Sequence, residues 1–140
     1  MVWIPAGEQF SMGSPLDEPR RSGDEGLHDV ILSSGYWMGK FEVSKAQWNR
    51  FMGPYRGAGQ PEVLDHPDSP VVFVSWYEAV SFPDRLSEYT GHEYRLPTEY
   101  EWEWACRAGS QSAFYFGASP AGLLDHGWYS LNALSAGERF

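Results

Sequence analysis

The stretch YRLPTEYEWEWACRAG, from Tyr94 to Gly109, carries the strongest structural signal in this sequence. Thr98 is followed three residues later by Glu101, which is the spacing of a capping box. In that motif the threonine hydroxyl accepts from the backbone N–H of the glutamate, and the carboxylate accepts from the N–H of the threonine. Gly109 can take the left-handed conformation that ends a helix. The sequence therefore predicts a helix from Thr98 to about Ala108.

The charged residues of this helix fall on one narrow stripe, formed by Glu99, Glu103 and Arg107. We expect that stripe to face solvent, with Glu103 and Arg107 as an i,i+4 ion pair. Apolar residues cover more than half of the circumference, which predicts a helix wrapped on two sides. Trp102 should therefore share an interior with Trp76. Glu101 is expected to bond within the cap, and Glu99 and Glu103 are expected to face solvent. We therefore predict that these three carboxylates do not form a general acid–base pair.

Two further capping boxes occur earlier in the chain. Ser44 and Gln47 predict one helix, and Ser75 and Glu78 predict a second that runs to about Tyr89. The second helix contains Pro83, which should kink it at a cost of roughly 3 kcal/mol if nothing compensates.

Short alternating or β-branched runs predict several strands. The expected strands are Met1–Pro5, Phe10–Met12, His28–Leu32 and a buried Val71–Val74, with a strand end near Phe114–Gly117. Tyr36–Trp37 is an aromatic run between Gly35 and Gly39, for which no strand is predicted. Segments rich in Gly, Pro and acidic residues predict long loops at 14–27, at 53–70 and after about residue 110. The fold class is therefore α+β and loop-rich, with about three short helices and several short strands.

Composition limits the function classes. The 140 residues fit one domain, and the net charge of −9 argues against nucleic acid or anionic lipid as a partner. No apolar run is long enough to span a membrane and no leader resembles a signal peptide, so a cytoplasmic location is expected.

Cys106 is the only cysteine, which excludes an internal disulfide and a cysteine-based zinc site. We expect it to be a small buried apolar residue. The four isolated histidines and the acidic loop clusters predict no dedicated metal site.

The run Arg95-Leu96-Pro97-Thr98-Glu99, continued by Glu101 and Trp102, resembles the RLPTEAEWE motif of the formylglycine-generating enzyme family, also called sulfatase-modifying factors. Other segments match the family in the same order. They are Ile4–Gly7 with Phe10–Ser14, Glu42–Ser44 with Trp48 and Phe51, Pro70–Val71 with Val74–Trp76 and Ala79, Arg107–Gly109, and Tyr115–Gly117. These seven motif residues, from Arg95 to Trp102, are interpreted as a structural signature of the family.

The resemblance implies a C-type-lectin-like fold and an oxidoreductase. The family's best-known members oxidise a sulfatase cysteine to formylglycine, using molecular oxygen and copper held by two thiolates, beside structural calcium. The catalytic cysteines are absent from this chain, so residues 1–140 resemble the N-terminal part of one domain, incomplete at the C-terminus. No catalytic residue is assigned, and Asn132 is the nearest match to a calcium-ligating asparagine. The implied partners are a protein or peptide such as a sulfatase, and a missing C-terminal half or a second chain.

A second hypothesis is a non-catalytic C-type-lectin-like binding or display module. In such a module, aromatic residues on the loops bind a protein or a glycan, and no reaction is catalysed. The aromatic residues expected to be exposed for this role are Tyr55, Tyr115, Trp128 and Tyr129.

Overall fold

The computed structural model describes residues 1–7, 9–19, 21–55 and 66–126, and shows in them a mixed α+β architecture with three longer helices, one helix of four residues and short antiparallel strands. The strands are β1 (Val2–Ile4), β2 (Gln9–Met12), β3 (His28–Ile31) and β4 (Tyr36–Met38). The helices are α1 (Lys45–Met52), α2 (Trp76–Thr90), α3 (Glu99–Arg107) and the short α4 (Leu123–His126), which follows a 3-10 turn at Pro120–Gly122. None of the helices in these ranges is long and apolar enough to cross a membrane.

The chain divides into two compact units. The first contains Met1–Met38 and Pro97–His126, and the second contains Gly39–Leu96 together with 127–140, which lie outside the described residues. The first unit has two two-stranded antiparallel sheets, one pairing β1 with β4 and the other pairing β2 with β3.

In the first unit, α3 packs against β2 through aromatic rings. The rings of Phe10 and Trp104 lie 5.1 Å apart, and Trp104 Nε1 donates to the carbonyl of Pro5 at 3.2 Å. Gly7 lies under the indole so closely that an added Cβ would overlap Trp104. The Tyr36 hydroxyl donates to the backbone carbonyl of Glu101, which ties β4 to the first turn of α3.

In the second unit, α1 and α2 pack through stacked rings. Trp48 and Phe82 are parallel with centroids 5.7 Å apart, and Phe51 meets both Phe82 and Tyr89 edge-on. Trp48 and Phe82 are both buried. Pro83 is also buried, so apolar burial offsets part of the cost of a proline inside a helix. The predicted kink stays a prediction.

The predicted helix starts are confirmed. Ser44, Ser75 and Thr98 each accept from the backbone N–H three residues on, and each reciprocal side-chain bond of the capping box is present. Helix α2 ends at Gly91 in the left-handed conformation. At the end of α3 both Ala108 and Gly109 have positive φ, so the helix stops one residue earlier than the sequence predicts.

The predicted buried strand at Val71–Val74 is wrong. The segment has no strand pairing, although the N–H of Val71 donates to the carbonyl of Val43 at 2.9 Å. Phe73 has a φ of 54° and its side chain is 75% exposed. A left-handed residue reverses the direction of an extended chain, so the backbone turns where β-branched composition had indicated a strand. Phe114–Gly117 likewise forms a tight turn closed by two backbone bonds.

The expectation that Trp76 and Trp102 share an interior is also wrong, because they are 67% and 55% exposed. Among the described residues the buried hydrophobic side chains are Met12, Leu32, Trp48 and Phe82. Helical periodicity identifies residues that share a face, but it does not identify which apolar face meets a neighbour. Trp104 contacts the strand side of α3, and Trp102 lies on another face.

Candidate functional site

The family-like motif forms the start of α3. The backbone N–H of Thr98 donates to Glu101 Oε2 at 2.8 Å, and the N–H of Glu101 donates to Thr98 Oγ1 at 3.4 Å. The Glu101 side chain is buried, and its Oε2 accepts from both the backbone N–H and the hydroxyl of Thr98. It therefore holds the start of the helix.

The flanking motif residues are on the surface. Leu96 and Pro97 are exposed, and Arg95 Nη1 donates to the carbonyl of Leu96 at 3.1 Å. Glu99 is exposed in the first turn of α3, where a carboxylate suits the positive end of the helix dipole. Within the described residues, the contacts of the motif organise the start of α3.

The predicted solvent stripe on α3 is wrong for two of its three members. Glu103 and Arg107 form the expected i,i+4 pair, with Arg107 Nη2 2.6 Å from Glu103 Oε1, but their side chains are only 21% and 22% exposed. The backbone N–H of Gly13 donates to Glu103 Oε1 at 2.9 Å, and Arg107 Nη2 donates to the Gly13 carbonyl at 2.6 Å. Both backbone polar groups of Gly13 are thus held by one ion pair.

This arrangement, the Gly13 clamp (Gly13, Glu103 and Arg107), depends on glycine geometry. Gly13 has a φ of 95°, and an added Cβ would lie 2.8 Å from the backbone oxygen of Gly26. A glycine here permits both the left-handed turn and the close approach of the next segment. Ser14, directly after the turn, is buried, and its hydroxyl donates to Glu25 Oε2 at 2.8 Å. The clamp joins the end of β2 to the last turns of α3.

A cleft of about 310 Å³ lies beside the clamp in the first unit. It is lined by Gln9, Phe10, Ser11, Asp29, Trp104, Arg107, Gly109, Ser110 and Gln111. The Asp29 carboxylate accepts from Gln9 Nε2 at 2.6 Å and from Ser11 Oγ at 2.9 Å. One wall is therefore polar and the other aromatic, which suits binding of a small polar group. The Ser11 hydroxyl and the Asp29 carboxylate are in contact within the cleft, and none of the lining residues is a histidine, lysine or cysteine.

The sequence prediction for Cys106 is wrong, because its side chain is exposed at the end of α3. The apolar side of α3 is occupied by Trp104, so a residue two positions later points elsewhere.

No group of three or more His, Cys, Asp and Glu side chains within the described ranges could hold a metal ion. Asp24 and Glu25 act within their own loop, where Glu25 accepts from Ser14 and from the Ser22 N–H. A hydrogen bond from the Ser22 side chain lowers the pKa of Asp24, and a second hydrogen bond from the backbone of Asp24 itself lowers it further. Asn132, the predicted calcium ligand, lies outside the described residues, as do Trp128 and Tyr129.

Two aromatic residues expected on exposed loops have different surroundings. Tyr115 is about half exposed, and its hydroxyl lies 2.5 Å from His126 Nδ1. Tyr55 is partly buried and its hydroxyl donates to the carbonyl of Val72, so the expectation of an exposed Tyr55 is wrong.

Comparison with known proteins identifies relatives over most of the chain. Residues 1–139 match the model of the sulfatase-modifying factor enzyme 1-like domain. The formylglycine-generating enzyme of Bos taurus is 32% identical over 109 residues, which cover 78% of this chain and 25% of that protein. The inactive C-alpha-formylglycine-generating enzyme 2 of the same species is 33% identical over 99 residues, covering 71% of this chain and 27% of that protein.

A solved structure, PvdO from Pseudomonas aeruginosa, resembles the chain with a TM-score of 0.68 and 33% sequence identity, covering 78% of this chain and 47% of that one. The chain thus spans about a quarter of the length of the two bovine relatives and about half of PvdO. The match over residues 1–139 shows that the chain belongs to the family of sulfatase-modifying factor enzyme 1-like domains.

Proposed function

We propose that this chain supplies the framework of a formylglycine-generating domain with a C-type-lectin-like fold. The observation that carries the proposal is the family match over residues 1–139, supported by the way in which the family-like motif is used. Its threonine and glutamate cap α3, and the same helix holds Gly13 through Glu103 and Arg107. These contacts order the backbone at the start of α3 and at the end of β2, which supports a structural role for the motif.

The reaction proposed for the complete domain is oxidation of a sulfatase cysteine to formylglycine with copper and oxygen. The residues of this chain do not fit a copper site made of two thiolates. Cys106 is the only cysteine in 140 residues and it is exposed, so this chain can supply at most one of the two thiolates. We therefore derive no step through copper here, and we propose that the thiolate ligands lie outside these 140 residues.

The test is an activity assay with a matched positive control. The purified 140-residue chain and the bovine relative are each incubated with copper, oxygen and a sulfatase-derived cysteine peptide. Aldehyde formation is followed by mass spectrometry. We expect conversion by the bovine enzyme and none by this chain. Turnover by this chain alone would show that it contains a complete catalytic centre, and the framework proposal would be rejected.

We also propose that Asn132 contributes an oxygen ligand to a structural calcium, an ion that prefers oxygen donors. Added calcium should then raise the thermal midpoint of the parent protein, and Asn132→Ala should abolish that rise. An equal calcium response in both proteins would exclude the residue as a ligand.

The second candidate function is a non-catalytic C-type-lectin-like binding module. Two observations favour it: Tyr115 is exposed, and one relative carries the word inactive in its name. A binding screen against proteins and glycans separates this candidate from the first. A ligand bound without chemical change, with affinity lost in Tyr115→Ala, would support the module. Retained affinity in that variant would remove Tyr115 from the binding surface.

A further inference from the structure

The second unit contains a pocket, lined by both aromatic and polar groups, that the proposed framework role does not use. The pocket has a volume of about 350 Å³ and lies between the end of α1 and the start of α2. It is lined by Trp48, Met52, Pro54, Tyr55, Phe73, Val74 and Glu78. Its size falls within the range of sites that accept a small ligand or one large side chain. Six of the seven lining residues are apolar or aromatic, but polar atoms form at least as much of the pocket surface as apolar atoms do, so the pocket suits an apolar side chain next to a polar or charged group.

Phe73, on the lip of this pocket, has an unfavourable backbone conformation. Its φ of 54° places a bulky side chain in the left-handed region, which glycine occupies without steric cost. The phenyl ring is 75% exposed, so burial of the ring does not offset that cost. The strain is consistent with a functional use, because strained residues that a fold maintains cluster at binding and catalytic sites.

Two further aromatic side chains follow Phe73 on the first turn of α2. Trp76 and Tyr77 are 67% and 78% exposed and meet edge to face, with centroids 5.4 Å apart. Tryptophan and tyrosine are the residues that most often dominate binding energy at protein interfaces. Phe73, Trp76 and Tyr77 together form what we call the aromatic lip.

The electrostatics of the pocket favour a cation beside the apolar occupant. Glu78 is the charged residue among those that line it. Hydrogen bonds from the backbone and side chain of Ser75 lower the pKa of Glu78, so the carboxylate is ionised at neutral pH. Lys45 is buried with its Nζ 5.4 Å from the centre of the Tyr55 ring, and it is not one of the residues that line the pocket, so Glu78 is the charged side chain that an occupant meets. The chain as a whole carries a charge of −9, which attracts basic partners.

We propose that this pocket and the aromatic lip form a docking site for a polypeptide segment that presents a large apolar side chain next to a lysine or arginine. The apolar side chain enters the pocket against Phe73, and the basic residue lies beside Glu78. This assignment goes beyond the framework role and does not depend on copper or on a sulfatase. Its failure and the failure of the proposed function are therefore distinguishable.

The test uses fluorescently labelled six-residue peptides and the full 140-residue chain, with binding followed by fluorescence polarisation. One peptide contains Leu-Lys, and two matched peptides contain Ala-Lys or Leu-Glu in its place. We expect the Leu-Lys peptide to bind about tenfold more tightly than either control, since both the anchor and the charge contribute. Equal affinity for all three, or no binding, would overturn the proposal.

Two variants separate the docking role from a structural one. Phe73→Gly removes the ring and also relieves the backbone strain, so we expect about tenfold weaker binding with a urea midpoint that does not fall. Glu78→Gln keeps the hydrogen bonds of the capping box and removes the charge, so it should weaken binding of the two lysine-containing peptides and leave the Leu-Glu peptide unaffected. Leu16→Ala, on an exposed residue of the other unit, is the control and should leave affinity unchanged.

Unchanged affinity in Phe73→Gly would refute the proposal. Sedimentation of the parent chain tests the competing occupant, a second copy. A dimer that Phe73→Gly dissociates would assign the aromatic lip to self-association and overturn the peptide-docking proposal. A monomer across the measured concentrations, together with selective peptide binding, would support it.

Discussion

Removal of the Glu103 carboxylate should destabilise the first unit by more than an ordinary surface substitution does. In the parent protein this carboxylate accepts from the Gly13 N–H at 2.9 Å and from Arg107 Nε at 2.8 Å. Glu103→Ala deprives both donors of their acceptor. An unsatisfied, largely buried donor costs about 1–3 kcal/mol, and the charged partner still retains its bond to the Gly13 carbonyl. Because the pair is about one-fifth exposed, solvent relieves part of this cost, and we expect a loss of about 2 kcal/mol.

The assay is urea denaturation followed by far-ultraviolet circular dichroism, which measures the free energy of unfolding. Glu99→Ala is the matched control, since it removes an exposed carboxylate from the same helix and leaves the Gly13 clamp intact. Its expected cost is about 0.3–1 kcal/mol, from the lost interaction with the helix dipole. Equal losses in the two variants would mean that Glu103 acts only as a surface charge and that the clamp does not stabilise the fold.

Three further changes test individual contacts, each by its effect on the urea midpoint. Thr98→Ala removes the cap of α3 and should cost about 0.5–2 kcal/mol, and no change would place the helix start elsewhere. Ser69→Ala should leave stability unchanged or raise it by about 1 kcal/mol, because the buried Ser69 hydroxyl finds no hydrogen-bond partner among the described residues; a loss would reveal a partner for it. The lowered pKa of Glu78 means that its cap contributes stability above the ordinary value of 4.5, and this stability is lost as pH falls through the folded-state pKa. Glu78→Gln should therefore flatten the decline in midpoint below pH 4.5, and an undiminished decline would assign the acid sensitivity to other carboxylates.

Helix starts were predictable from the sequence because their determinants are local. A capping box needs two residues three positions apart, and all three predicted boxes are present in the structure. The same is true of the left-handed end of α2 at Gly91. Alternation also indicated three strands of the first unit, β1, β2 and β3, with differences of one or two residues at their ends. The fourth strand, β4, was not predicted, because its three residues are too few to show an alternating pattern.

The Gly13 clamp was only half predictable. The spacing of Glu103 and Arg107 correctly predicts their ion pair, but the partner that withdraws both from solvent lies some 90 residues earlier in the chain. The sequence of the helix alone does not distinguish a charged stripe that faces solvent from one that hydrogen-bonds to a turn distant in the chain. Phe73 illustrates the same limit, because a β-branched neighbourhood indicates a strand while the backbone adopts a left-handed turn.

The exposure of Trp102 contradicts the expected shared interior, yet family membership rests on the match over residues 1–139 and is unaffected by it. The two facts are compatible because a cap satisfies backbone groups without burying any side chain, and Trp104 already provides the packing of α3 on β2. This division of roles has a measurable consequence. Trp104→Ala removes a ring that contacts Phe10 and covers Gly7, and we expect a loss of about 2–4 kcal/mol. Trp102→Ala removes a ring that is more than half exposed and should cost less than about 1 kcal/mol. Equal losses in urea denaturation would place Trp102 in the core of the first unit and would show that α3 is wrapped on two sides after all.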